Sequence, residues 1–319
     1  GDQLSDEALD LVWARLARLR HPGGLATIWT NREGAVTLPP PTATLDRMGR
    51  APSLTVTALK VGPRASAPSR RAIPEETAVA LVYDGGTEAV MMATPADLED
   101  FALGFSLNEG VIGAAAEIRS IEIADQTDGI ELRLWLAADR AHALAGRRRT
   151  RAGPTGCGLC GVDSLAEALR PLPAIESTLT IPAADLIAAM RALSDLQALN
   201  RETRAVHAAA LFVPGEGIIA AREDVGRHNA LDKLAGALAR EGRSAAKASS
   251  GAILMTSRIS VELVQKAAIM GAPILAAVSA PTALALRTAD GAGITLAGIV
   301  RDDGFEVFTW PERIGVERG

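Results

Sequence analysis

A chain of 319 residues with 48% hydrophobic and 22% charged content carries enough apolar material for two modest cores. Its net charge of −5 takes away the basic surface on which non-specific nucleic-acid binding depends, so an anionic ligand has to meet positive charge locally. No apolar run reaches the roughly 18 residues of a membrane span, and no basic stretch followed by an apolar one marks a leader, so the expected setting is the cytoplasm.

Residues 1 to about 50 stand apart. Leu9, Val12, Trp13, Leu16 and Leu19 form a short apolar stripe at helical spacing, and Pro39, Pro40 and Pro41 break the chain after it, which reads as a surface helix and a linker. Proline, serine and arginine between positions 62 and 74 predict a second loose connection before the first core strand at 79–82. The β-type runs 78–83 and 88–92 flank Asp84-Gly85-Gly86, a sequence suited to the positive φ of a hairpin turn. Thr94, Pro95 and Asp97 then offer an N-cap, a first-turn proline and an acid for the helix dipole, and Leu98, Phe101, Ala102 and Phe105 share a face of a helix that ends at Gly110. Alternating runs at 118–123 and 130–136 around Asp128-Gly129 complete a β-β-α-β-β unit.

The second half has a different texture. Short apolar runs at 253–255, 274–278 and 294–300, separated by stretches long enough for helical crossovers, predict a parallel sheet covered by helices. The expected class is therefore α/β, in three parts: an extension at 1–52, a small mixed α+β domain at 53–145, and an α/β domain at 146–319.

Two segments carry chemistry. Arg147, Arg148, Arg149 and Arg151 run into a glycine-rich loop that holds Cys157 and Cys160, and Ser164 and Glu167 have capping-box spacing just beyond it. Neighbouring guanidiniums and a helix N-terminus both favour thiolate, the form that attacks a persulfide. Zinc is the main rival, but the chain has two cysteines and four histidines (His21, His142, His207 and His228) with no second pair at finger spacing, so no metal site is expected. The His-x-Glu of zinc deaminases is also missing, since Ala208 and Ala209 follow His207. A thiol-disulfide oxidoreductase would set the pair after a strand, whereas here an arginine run precedes it. The second segment, 222–233, is a dense polar loop leading into a helix, too charged for core and readable either as a solvated turn or as a ligand-facing loop.

In open α/β sheets ligands collect beyond the carboxyl ends of parallel strands. Those ends carry Thr256-Ser257-Arg258, Ser279-Ala280-Pro281-Thr282 and Arg301-Asp302-Asp303-Gly304. Helix starts with Arg258 and Arg301 suit a diphosphate, and Asp302 and Asp303 could accept hydrogen bonds from a guanine edge. Ordinary strand-to-helix connection chemistry accounts for the same residue types equally well.

The runs 79–83, 91–95 and 97–105, then 156–161, 207–210, 223–233 and 256–258, resemble the motifs of the formate dehydrogenase accessory sulfurtransferases, the FdhD family, and they occur in family order across about residues 75–314. The resemblance implies a cytidine-deaminase-like three-layer α/β fold beside the small α+β domain, in a homodimer. It implies a sulfurtransferase that accepts persulfide sulfur from a cysteine desulfurase and passes it to the bis-guanine-dinucleotide form of the molybdenum cofactor (Mo-bis-MGD), before insertion into the catalytic subunit of formate dehydrogenase. By motif, Cys157 holds the persulfide and Cys160 assists. Ile299, Val300, Arg301, Asp302, Asp303 and Gly304 match the cofactor-binding position, which GDP could mimic, and His207, Asp224, Arg227, His228, Ser257 and Arg258 join it. The alternative is a non-catalytic chaperone that binds and protects the mature cofactor. Two departures stand out: residues 1 to about 50 match nothing in the family, and Pro154 stands where a basic residue is expected.

Overall fold

The computed structural model describes the backbone at 27–29 and 35–37, and the chain at 50–63, 66–138, 140, 171–242 and 245–316. The apolar stripe of Leu9 to Leu19, the three consecutive prolines, the arginine run and both cysteines lie outside the described residues. Contacts divide the chain into two units, 1–47 with 54–72, and 48–53 with 73–319.

The first unit holds β1 (Thr27–Trp29), which pairs antiparallel with β2 (Ala35–Thr37), and most of a two-stranded sheet of β3 (Ser53–Val61) and β4 (Ser66–Pro74). The loose connection expected at 62–74 is thus largely strand. In a two-stranded sheet every strand is an edge, so Pro68 can sit in β4 without removing a bond from a central ladder.

In the second unit β5 (Thr77–Tyr83), β6 (Gly86–Ala93), β7 (Ile118–Gln126) and β8 (Gly129–Leu136) form a sheet of order β6-β5-β8-β7, with β5 and β8 parallel. Asp84 and Gly85, at φ 47 and 81, turn β5 into β6 as their residue types require. Helix α1 (Leu98–Asn108) lays Phe101, Leu103 and Phe105 on Val79, Leu81, Leu132 and Leu134. Thr94 does not cap this helix. Asp97 holds the N-cap position in a left-handed conformation, and the Thr94 hydroxyl instead accepts from Val225 N.

The rest of the chain centres on a larger sheet. After β9 (Ile181–Pro182) come α2 (Ala183–Leu196), α3 (Ala198–Thr203), β10 (His207–Val213), β11 (Gly217–Asp224), α4 (Arg227–Arg240) and the short α5 (Ala245–Ala248). Then β12 (Ala252–Met255), α6 (Val261–Ile269), β13 (Ile274–Ala277), α7 (Ala283–Ala292), β14 (Thr295–Arg301) and β15 (Gly304–Thr309) lead to β16 (Ile314–Gly315), which runs parallel to β9. Six strands order as β11-β10-β12-β13-β14-β15, with β12, β13 and β14 parallel, as the apolar runs predict, and the others antiparallel.

Strand alternation splits the core into two layers. Leu211, Ile253, Met255, Leu275 and Leu296 face α4, α6 and α7. Ala210, Phe212, Leu254, Ile274 and Ala276 face Leu186, Met190 and Leu193 of α2. The α/β class and the three-layer arrangement arise directly from these two faces.

Helices α1 and α4 cross at glycine. A Cβ on Gly104 would fall on the carbonyl of Asp232, and one on Gly236 on the carbonyl of Asp100. Only hydrogen fits between these backbones, and the crossing fastens the helix of the small sheet to the helix that starts at the edge of the large one.

Candidate functional site

Since β10 and β12 are antiparallel, the start of β10 lies at the same sheet edge as the carboxyl ends of β12, β13 and β14, and β11 ends there too, with His207 opposite Asp224. The first turns of α4, α6 and α7 therefore share one edge, the edge at which sequence reasoning placed a ligand. Backbone bonds knit the intervening loops into a rim: Thr256 N to Ala208 O at 3.1 Å, Val278 N to Met255 O at 3.1 Å, Thr282 N to Ile259 O at 3.0 Å, and Ile299 N to Ser279 O at 3.4 Å.

At one end of the rim the chain 222–233, expected as a loop too charged for core, is in large part core. Residues 217–224 are strand, and Asp224 and Lys233 are both fully buried with Lys233 Nζ 2.6 Å from Asp224 Oδ2. The same Oδ2 accepts from Thr94 N at 3.0 Å, and Oδ1 accepts from Gly226 N at 2.7 Å and Asn229 Nδ2 at 3.0 Å. Lys233 Nζ also donates to Thr94 O at 2.9 Å, while Val225 N donates to Thr94 Oγ1 at 3.1 Å. Charge is tolerated here because every partner is supplied. Asp224, grouped with the ligand-facing residues on sequence grounds, is instead the internal hub that fixes the start of α4 against the end of β6.

The residues held in place by that hub do face the edge. The side chain of Arg227, the first residue of α4, makes no hydrogen bond or ion pair among the described residues, and its Nε is buried without a partner. His228 Nε2 lies 3.2 Å from Ser260 Oγ and 3.6 Å from Glu262 Oε2. Burial first, then the nearby Arg227 charge, push His207 below its ordinary value, with Asp224 pulling the other way and a lesser lowering influence from the neighbouring His228; the net effect favours a neutral His207 ring. The Glu262 carboxyl is held down to about 2, first by its hydrogen bond with His228, then by the Ser260 hydroxyl and its own N–H, against the opposing effect of burial. Sequence reading missed Ser260 and Glu262. Their signal was present as a serine N-cap followed by an acid in the first turn of α6, a pattern that every ordinary helix start shares.

Along the rim, Ser257 is buried and its hydroxyl turns to Arg258 O at 3.1 Å, whereas Arg258 is exposed with no described partner. At the β14 end, Ile299 is exposed and left-handed at φ 55, an uncommon state for a β-branched residue. Val300 is packed into the core beneath α2. Arg301 folds its guanidinium onto Val278 O and Val300 O, and Arg191 donates to Asp302 at 3.0 Å, so neither charge is idle. Asp303 is exposed, and Gly304 opens β15 at φ 147. Of the residues singled out, His207, Arg227, His228, Arg258, Ile299 and Asp303 present themselves at the edge, while Asp224, Ser257 and Val300 are turned inward. Among the described residues, no group of three or more His, Cys, Asp or Glu is placed to hold a metal ion, and no helix is long and apolar enough to cross a membrane.

Fold and edge together define an α/β protein in which three helix starts and two arginines without described partners meet at one strand-end edge. The chain belongs to the FdhD/NarQ family, which it matches over residues 74–315. It is 54% identical over 259 residues to the sulfur carrier protein FdhD of Agrobacterium fabrum, covering 81% of this chain and 94% of that one. The sulfur carrier protein FdhD of Brucella abortus is 53% identical over 247 residues, 77% of this chain and 91% of that one. A crystal structure described as a putative formate dehydrogenase accessory protein from Desulfotalea psychrophila superposes with a TM-score of 0.65 at 27% identity, covering 83% of this chain and 100% of that one.

Proposed function

We propose that this protein is a sulfur carrier of formate dehydrogenase maturation, taking sulfur on Cys157 and giving it to Mo-bis-MGD cargo held at the strand-end edge. Relatives that match most of this chain at about half identity carry the sulfur-carrier name, and the matched span includes both cysteines. In the loading step the Cys157 thiolate attacks the outer sulfur of a persulfide on a cysteine desulfurase. The donor S–S bond breaks, its electron pair leaves with the donor cysteine as thiolate, and Cys157 becomes a persulfide, with Cys160 assisting. The catalytic subunit of formate dehydrogenase then takes the cargo, and the carrier works as a cytoplasmic homodimer.

The observation that carries the cargo half of this reading is the spread of unmatched positive groups along one edge. Arg227, Arg258 and the first turns of α4, α6 and α7 line a rim whose outer members, β10 and β14, are three strands apart, about 14 Å at the usual strand spacing. A seat of that length suits an extended, multiply anionic molecule such as a dinucleotide better than a single phosphate. The carboxylates of Asp303 and Asp302 at its far end suit a guanine edge, with Arg191 sharing Asp302.

Mass spectrometry after incubation with a cysteine desulfurase and cysteine tests the sulfur half. Wild type is expected to gain one sulfur and Cys157→Ala none, with Cys160→Ala still able to load. A wild type that takes up no sulfur yet binds GDP would replace the carrier by a cofactor chaperone.

A further inference from the structure

The edge holds an acid that does not belong with an anionic ligand. Glu262, in the first turn of α6, is about four-fifths buried at its side chain, and His228, in the first turn of α4, slightly more so. A carboxylate free to face phosphate would repel it. Glu262 is not free: it accepts from the Ser260 hydroxyl and its own N–H, and its Oε2 lies 3.6 Å from His228 Nε2, which also meets Ser260 Oγ at 3.2 Å. The low carboxyl value of about 2 keeps Glu262 an acceptor throughout the working range. An imidazole nitrogen facing an obligate acceptor carries the proton, so Nε2–H is the donor and the tautomer is set.

We infer that Glu262 is a positioning residue for the cargo site, orienting His228 through Nε2 so that Nδ1, the acceptor in this tautomer, is presented to a hydroxyl or N–H group of the ligand beside the phosphates that Arg227 meets. This rests on the strand-end cargo seat proposed above. Among the described residues no group hydrogen-bonds Nδ1 of His228, and the residue before it is Arg227 with its unpartnered Nε. The ring thus stands beside the unmatched guanidinium, at the start of a long helix, with one nitrogen tied back and the other open. Glu262 acts as the outer partner that fixes a ligand-bearing histidine, and Ser260 bridges the two helix starts. A neighbour of another kind would do neither: leucine at 262 would leave the ring to rotate, and lysine would compete for the same nitrogen.

The test is a double-mutant cycle read by calorimetric titration of GDP into the full chain, with Glu262→Ala, His228→Ala, the double variant and Glu262→Gln. The expected result is a Kd weakened about tenfold by either alanine, no further loss in the double variant, and recovery to within about threefold of wild type in Glu262→Gln, which still accepts from Nε2–H. A merely structural contact would lower stability and leave the Kd of folded protein unchanged. Equal binding by wild type and Glu262→Ala, or additive losses in the double variant, overturns the positioning role and leaves the cargo seat standing. A wild type that binds no GDP removes the seat and this inference with it.

Discussion

The charge at the core of this protein illustrates how much a buried ion depends on its surroundings. Asp224 and Lys233 are at zero exposure, and their contacts reach Thr94, Gly226 and Asn229, so the pair links β6, β11 and α4. Removing one member strands the other. Lys233→Met is expected to cost about 3–5 kcal/mol, measured by urea denaturation, because a carboxylate stays buried with no counter-charge. A second prediction concerns acid. Glu262 sits at about 2 when folded against an ordinary 4.5, so its ionised form contributes stability that is present above 4.5 and lost as pH falls toward 2. The gap in Tm between wild type and Glu262→Gln should therefore close through that window. A gap that stays constant would mean the carboxylate is not held by the contacts described.

Elements were legible in sequence where their signals were local. The turn at Asp84-Gly85, the alternation of β7 and β8, and the three apolar runs of the parallel strands could all be read, because each depends on neighbours in the chain. Strand β11 was not, since Arg222, Glu223 and Asp224 look like loop until their partners come from elsewhere. Arg222 meets Asp100 at 2.8 Å, and Glu223 accepts from Leu199 N and Asn200 N, both at 2.8 Å. Thr94 misled for the same reason: its cap-like setting is local, but its hydroxyl is taken by Val225 N, 131 residues on. The candidate site divided likewise. The strand-end principle located the edge, but whether a given polar residue faced out, as Arg258 does, or in, as Ser257 does, was decided by tertiary contacts. The glycine crossing was also invisible, since Gly104 reads in sequence as a weak point in a helix. It is a point of contact, and Gly104→Ala should destabilise by about 1–3 kcal/mol or more in thermal unfolding, because the Cβ meets the Asp232 backbone with no side chain able to yield.

On the scale of the whole molecule, a net charge of −5 sits against an edge where Arg227 and Arg258 have no described counter-ion. An anion bound there is attracted locally and repelled at long range, so its affinity depends on close contact with helix starts and guanidiniums more than on steering. This separates two ways of holding a guanine nucleotide. If the base edge near Asp303 dominated, guanosine and GDP would raise Tm alike. If the phosphates at the first turns of α4 and α6 dominate, as the unmatched cations favour, GDP should raise Tm at ligand excess while guanosine leaves it nearly unchanged; about 2.7 kcal/mol of added stability is expected at a hundredfold excess over Kd. Arg227→Ala should remove most of that gain, whereas Asp303→Asn should weaken discrimination between GDP and ADP while leaving most of the shift. Equal shifts with guanosine would move the centre of recognition from the α4 end of the rim to the turn between β14 and β15.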